Sequence, residues 1–176
     1  MTIMMKKMET LKFNNRHNTQ HIIGDKVVWE SRSAAALCAV LLYKGNDTYV
    51  LVSERGIGSP NYVGKMNLVA GYLDWDENGT ECVCREAWEE TGFDLVKYTN
   101  KFKVQFSSLN DPWEVNTDHN DNELQNVSLH YGIVLKMEDE DLPELTNKYN
   151  EVPHETENPM WMLISDIDKY QWAFKI

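Results

Sequence analysis

Three carboxylates crowd one short stretch of this chain. Glu86, Glu89 and Glu90 stand at i, i+3 and i+4, the spacing that gathers side chains on a single helix face, with Arg85 beside them and Glu77 a little upstream. Like charges at these spacings oppose an isolated helix by about 0.2–0.5 kcal/mol per pair, and Arg85 is the one cation nearby in sequence. In an acidic chain such a stripe is most often a solvated face and nothing more. The chemical alternative is a cation site. Clustered carboxylate oxygens suit a hard divalent ion such as Mg²⁺, which takes oxygen ligands and keeps several waters, far better than a metal seeking nitrogen and sulfur.

The helix that must carry these acids has both ends marked. Asn78 followed three positions later by Glu81 fits a capping box, and Gly92 tolerates the left-handed stop, so the pattern predicts a helix over 79–91. Its opposite face, Cys84, Ala87, Trp88 and Thr91, is expected to go to the core. Around it the chain reads as strands. The runs AAALCAVLLYK and TYVLVSERG flank the turn-former Gly45-Asn46-Asp47 and predict a β-hairpin; MNLVA at 66–70 predicts a buried strand running into Gly71. KFKVQF, VSLHYGIVLKM and MWMLI predict three more strands, and SDIDKY a short helix opened by Ser165 as N-cap. Between KFKVQF and VSLHYGIVLKM lies a long polar loop with Asp111-Pro112-Trp113 and TDHNDNE, of a length that is usually functional or mobile. Residues 1–30 read as a polar N-terminal extension with one short strand, and 31–176 as a single domain. Several strands interrupted by one strong helix favour a mixed sheet flanked by helices over a doubly wound parallel one.

Composition bounds the function. The chain has 176 residues, 28 acidic against 17 basic, and a formal net charge of −11. That is one ordinary core, and a charge that opposes contact with a nucleic-acid backbone or an anionic bilayer. No apolar run reaches membrane-spanning length and no signal peptide is evident, so a cytoplasmic location is expected. Cys38, Cys82 and Cys84 suggest neither a disulfide frame nor a zinc site, and Cys38 reads as core.

Gly71, Glu77 and the run Arg85-Glu86-Ala87-Trp88-Glu89-Glu90-Thr91-Gly92-Phe93 match every fixed position of the signature G-x5-E-x7-R-E-U-x-E-E-x-G-U, with U apolar, so that the chain resembles the Nudix hydrolase family. At a residue usage of roughly 7%, such a set of fixed identities recurs by chance about once in 10⁸ starting points. The resemblance implies an α/β fold, an α/β/α sandwich with a mixed β-sheet. It also implies hydrolysis of a nucleoside diphosphate linked to another group, with Mg²⁺ or Mn²⁺. By motif position Glu86 and Glu90 would be metal ligands, Glu89 a third ligand or one held through water, and the Ala70 carbonyl another. Arg85 and Glu77 would form an orienting pair. The marks of particular subclasses are missing: Phe106 to Asn110 holds neither the proline nor the tyrosine of the ADP-ribose and diadenosine polyphosphate enzymes.

Around this centre other residues compete for roles. A proton acceptor for the attacking water is expected either among the helix glutamates or outside them, where Glu123, Glu138, Glu140 and Glu155 are equal candidates. Trp75 and Trp113 offer flat faces to a base, a contact worth about 1–3 kcal/mol, whereas Tyr131 within a strand reads as core. Arg55, ending a strand, suits a substrate phosphate through its fork geometry, with a surface ion pair as the plain reading. The histidines show no metal spacing, and Ser107 and Ser108 lack a nucleophile elbow. The expected partner is thus a nucleotide-type small molecule, with no nucleic acid polymer and no membrane, and a homodimer left open. The alternative is a non-catalytic module that binds a nucleotide or nucleotide sugar as a sensor.

Overall fold

Strand β3 (Ala34–Lys44) and strand β4 (Asp47–Arg55) form the expected hairpin, closed by a two-residue turn in which Gly45 takes the left-handed φ of 61°. They pair only near the turn, through Leu41–Lys44. Beyond it they diverge, and β5 (Met66–Tyr72) enters the fork, pairing with Ala35–Cys38 of β3 and with Val52–Glu54 of β4. This fork leaves the Ala70-Gly71 segment at the place where β5 leaves β4, open to the helix that follows.

In the computed structural model, residues 18–31, 33–117, 126–138 and 140–174 are described, so that the candidate base Glu123 lies outside the described residues. The chain divides into two units, Met1–Arg32 and Ser33–Ile176. The first holds an antiparallel hairpin of β1 (Thr19–Ile23) and β2 (Lys26–Glu30), where the sequence suggested a single strand; Gly24, with φ of 65°, makes the tight return.

The second unit is the expected α/β fold built on a large mixed sheet, in the order β6-β8-β3-β5-β4-β9 with β7 also paired to β8. Here β6 is Lys103–Ser107, β7 Glu114–Asn116, β8 Val127–Met137 and β9 Thr156–Leu163. The β3–β8 pair is parallel and the others are antiparallel. β3 runs through its centre with alternate residues Ala36, Cys38, Val40 and Leu42 fully buried. These join Leu51, Val69, Phe93, Ile133 and Leu135 in the main core, beneath helix α1 (Gly79–Thr91) and the short helix α2 (Leu95–Lys101). The other sheet face carries a second cluster, Val50, Val52, Met66, Leu68 and Met162, against which Trp172 of the C-terminal tail packs. Among the described residues no helix is long and apolar enough to cross a membrane.

Four local readings need correction. Helix α2 has no counterpart in the sequence reading, although Asp94 caps it by accepting from the Lys97 N–H at 2.8 Å. The segment at Ile164–Lys169 is a 3₁₀ helix whose cap is Leu163, and the Ser165 hydroxyl reaches Asp166 instead of capping it. Trp88 is not core: it is 40% exposed and stacks on Tyr149 at 4.3 Å, while Cys82, Val83, Ala87 and Thr91 are the buried row. The long polar loop also contains β7, which docks on β8 by the register Glu114↔His130.

The ends of α1 fall where the sequence placed them. The Asn78 side chain accepts from the N–H groups of Thr80 and Glu81, both at 3.0 Å, and Glu81 returns the bond to the Asn78 N–H at 2.8 Å. Gly92 closes the other end at φ of 69°. Since such a cap contributes about 1 kcal/mol, Asn78→Ala is expected to lower the melting temperature by roughly 2–4 °C, read by thermal unfolding followed in the far ultraviolet. An unchanged transition would mean that α1 is held by packing alone.

Candidate active site

The stretch from β5 into α1 positions the acids. β5 ends beneath the helix, and at Gly71 the chain passes so close to Glu86 that a Cβ there would overlap the glutamate carboxylate. Glycine at this point lets the Glu86 carboxylate lie against the backbone; a Cβ would force that side chain to move. One turn further along α1, Glu90 turns inward and its Oε2 accepts from the Ala70 N–H at 3.3 Å. The contact seen at Ala70 is thus made by its amide.

The acidic stripe is not a solvated face. Glu90 is only 6% exposed, and the side chains of Glu86 and Glu89 are 12% and 23% exposed. Burial holds the Glu86 carboxyl up at about 7, an effect that Arg85 only partly offsets, and raises Glu90 well above the carboxylate range, with the charge of Glu86 adding to it. Such groups cost stability at neutral pH unless something cationic meets them.

Arg85 is the hub of the loop that precedes the helix. Its Nε and Nη2 donate to the two oxygens of Glu77 at 3.1 and 2.7 Å, a fork-to-fork pair, and Nη2 also donates to the Tyr72 carbonyl at 3.0 Å. Asp74 lies 3.5 Å from the same guanidinium, a partner that the sequence reading did not single out. The bond to Arg85 holds the Glu77 carboxyl below its usual range. Glu77 in turn accepts the Asp74 N–H at 2.7 Å, which closes the loop on itself. On its other side Arg85 Nη1 donates to Glu86 at 2.7 Å and to Glu89 at 3.1 Å.

A second element meets the stripe from the sheet. Arg55, at the end of β4, is part-buried; burial lowers its pKa from the usual arginine value, and the charges of Glu90 and Glu155 oppose that shift. Its Nε donates to the Asn61 carbonyl at 2.8 Å and its head lies 5.8 Å from the Phe174 ring centre. Glu155, in the loop before β9, is half-buried; desolvation raises its carboxyl against the opposing pull of Arg55, and its charge acts on Glu86 and Glu90. Of the candidate bases outside the helix that lie among the described residues, Glu155 is the one brought to the acids. Glu140 pairs with Lys101 at the end of α2, and Glu138 is exposed where β8 ends.

The structure therefore brings together Ala70, Glu77, Arg85, Glu86, Glu89, Glu90, Arg55 and Glu155. It leaves two aromatic candidates at the surface. Trp75 is 97% exposed, and Trp113 is 61% exposed just before β7, separated from β5 by β8 and β3. Tyr131 is buried, its hydroxyl packed over Gly79 at the start of α1.

As a metal site the donors fit by type and not yet by convergence. All side-chain donors are hard carboxylate oxygens, buried at a cost that a divalent cation would relieve. Among the described residues, however, no three His, Cys, Asp or Glu side chains converge on one point. Glu86 and Glu89 are drawn to Arg85 instead.

Comparison with known proteins bears on the family and the fold. The NUDIX domain model matches residues 32–176. The fold resembles the NUDIX domain of Shewanella oneidensis NrtR complexed with ADP ribose, with 13% identity over 82% of this chain and 80% of that one, at a TM-score of 0.52. It also resembles a bifunctional NMN adenylyltransferase/ADP ribose pyrophosphatase from Francisella tularensis, complexed with AMP and a manganese ion, with 18% identity over 79% of this chain and 36% of that one, at 0.55. A C. elegans Ap4A hydrolase binary complex matches with 14% identity over 78% and 84% of the two chains, at 0.51. No curated protein sequence matches. At these identities the solved structures establish a shared fold.

Proposed function

Because the chain belongs to the NUDIX family, we propose that it is a hydrolase dependent on Mg²⁺ or Mn²⁺ that cleaves the phosphoanhydride of a nucleoside diphosphate derivative. The observation that carries this reading is a helix stripe of three acids, Glu90 buried and Glu86 and Glu89 largely shielded, on which the charges of Arg55 and Glu155 act from other elements. Exposed acids would need no explanation; buried ones at this density do.

In this reading Glu86, Glu89 and Glu90, with the Ala70 carbonyl, hold the cation. When bound, the ion supplies positive charge against the phosphoryl oxygens and a water of lowered pKa. The chain's own residues do the rest. Arg55 meets the phosphate with its terminal nitrogens, its Nε being spent on Asn61. The Arg85–Glu77 fork keeps the β5–α1 loop rigid and the helix acids in register. Glu155, raised by desolvation, accepts the proton of the attacking water. A strongly acidic protein of net charge −11 gains from a cation at this point, because its field otherwise repels an anionic substrate. ADP-ribose-like, dinucleotide and nucleoside triphosphate substrates all carry the required linkage.

The clasp of Arg85 on Glu86 and Glu89 favours a second reading, a module that binds a nucleotide without cleaving it. One assay separates them. The protein is incubated with Mg²⁺ and a panel of dinucleotides, nucleotide sugars and triphosphates, and phosphate is followed after phosphatase coupling. Release of a nucleoside monophosphate or of pyrophosphate from at least one of them is the expected result. No turnover on any, with nucleotide binding unaltered in Glu90→Gln, would establish the sensor.

A further inference from the structure

The strand end that carries Arg55 and the loop that carries Glu155 are stitched together along their backbones. The Gly56 N–H donates to the Glu155 carbonyl at 2.8 Å, and the Gly58 N–H to the His154 carbonyl at 2.7 Å. The Ser59 hydroxyl donates to that same Glu155 carbonyl at 2.6 Å, and the Ser59 N–H closes back on the Gly56 carbonyl at 3.0 Å. With its own N–H donating to the Val152 carbonyl at 3.1 Å, Glu155 is thus held by three bonds at its main chain, next to the carboxylate whose place matters.

The approach is too close for any side chain. A Cβ at Gly56 would overlap the His154 carbonyl oxygen. One at Gly58 would overlap the Pro153 carbonyl and stand 2.9 Å from both the Glu155 nitrogen and the His154 carbonyl carbon. These are backbone atoms, which cannot rotate out of the way. Neither glycine has a left-handed φ, so contact and not conformation demands them. On the other side of the seam His154 itself adopts φ of 59°, a strained state for a residue with a side chain, and its Nδ1 lies 2.8 Å from Glu157. Beyond Glu155, Thr156 is fully buried against the end of the helix, its hydroxyl donating to Asn150 Oδ1 at 2.8 Å and lying 3.3 Å from the Glu90 carbonyl. The loop is therefore clamped between Gly56–Ser59 and the last turn of α1, with Glu155 at the middle of the clamp.

We propose that Gly58 and Ser59 are positioning residues for catalysis, setting the Glu155 carboxylate against the phosphate held by Arg55 through the backbone seam Gly56–Ser59/Pro153–Glu155. The inference rests on the hydrolase reading above. A merely structural seam would lower stability without acting through Glu155, whereas a positioning seam loses its effect once Glu155 can no longer accept a proton.

The test is a kinetic double-mutant cycle on the full chain, with the substrate that the panel identifies and with Mn²⁺. Ser59→Ala is expected to lower kcat about 10-fold and Gly58→Ala about 10²-fold, the scale of a misplacement near 1 Å. KM and the Mn²⁺-dependent rise in melting temperature should stay within about twofold of wild type, because Glu86 and Glu90 are untouched. In a Glu155→Gln background neither substitution should reduce kcat further. Should Gly58→Ala not fold, Ser59→Ala carries the cycle, since it removes a hydroxyl and adds nothing. Losses that multiply with that of Glu155→Gln, or a Ser59→Ala enzyme with wild-type kcat, overturn the inference while leaving the hydrolase reading in place. A wild type that turns over no phosphoanhydride overturns both.

Discussion

Glu90→Gln is expected to abolish turnover, by about 10³-fold or more, and at the same time to make the protein more stable at pH 8 in the absence of divalent cations. The two effects have one cause. Glu90 is buried and its carboxyl is raised well above the ordinary range by desolvation, with Glu86, itself held up at about 7, in support. A carboxyl that is raised on folding binds its proton more tightly in the folded state than in the unfolded chain. Below pH 4.5 it is neutral in both states and costs nothing. Between about 4.5 and 7 the unfolded chain ionises first, so stability falls as pH rises, and above 7 the deficit from Glu86 is complete. For Glu86 the shift from 4.5 to about 7 corresponds to about 3 kcal/mol. Gln keeps the shape and an acceptor oxygen for the Ala70 N–H but no charge. Calorimetry of wild type and Glu86→Gln from pH 5 to pH 8, with chelator, should show a gap in melting temperature that opens with pH to roughly 5–10 °C. Mg²⁺ at 100 times its dissociation constant adds about 2.7 kcal/mol, and should restore the wild type while leaving the Glu86→Gln, Glu90→Gln double variant where it was. Equal Mg²⁺ shifts in both proteins, or a wild type whose stability climbs steadily from pH 5 to pH 8, would sink the assignment of these acids as cation ligands.

What could be read from the sequence was local. The limits of α1 were legible because Asn78, Glu81 and Gly92 act on their own neighbours, and the β3–β4 hairpin because Gly45-Asn46 permits a tight turn. Burial was not local. Trp88 reads as core by helical phase, yet what lies over it is Tyr149, and Thr146 donates its N–H to the Thr91 carbonyl, so a segment distant in the chain decides which stripe of the helix is sealed. The same reason hid the state of the acids. Spacing placed Glu86, Glu89 and Glu90 on one face, but only the insertion of β5 into the β3–β4 fork presses Gly71 and Ala70 against them. Helix α2 was missed because LVKYTNK is too short to show a period and its one signal, Asp94, follows immediately on the stop of α1. Arg55 is identified by its position at a strand end. Glu155 is not distinguishable from Glu140 by composition, and only tertiary structure gives one to Arg55 and the other to Lys101.

That distinction yields the last strong expectation. Glu155→Gln should lower kcat by about 10²–10⁴-fold, the range for loss of a general base, with KM and the Mg²⁺-dependent rise in melting temperature within a few-fold of wild type. Glu140→Gln and Glu138→Gln, on exposed positions away from the acids, should leave kcat unchanged. The carboxyl of Glu155 lies above its ordinary value because desolvation outweighs the attraction of Arg55. A base must be unprotonated to act, so wild-type kcat should fall as pH drops through that raised value, and this acid limb should vanish in the Gln variant while the pH dependence of Mg²⁺ binding, which belongs to Glu86 and Glu90, survives. If Glu155→Gln keeps wild-type kcat and its acid limb, the proton goes instead to one of the helix glutamates. The clamp between Gly56–Ser59 and the end of α1 would then serve Arg55 alone, holding the phosphate and not the water.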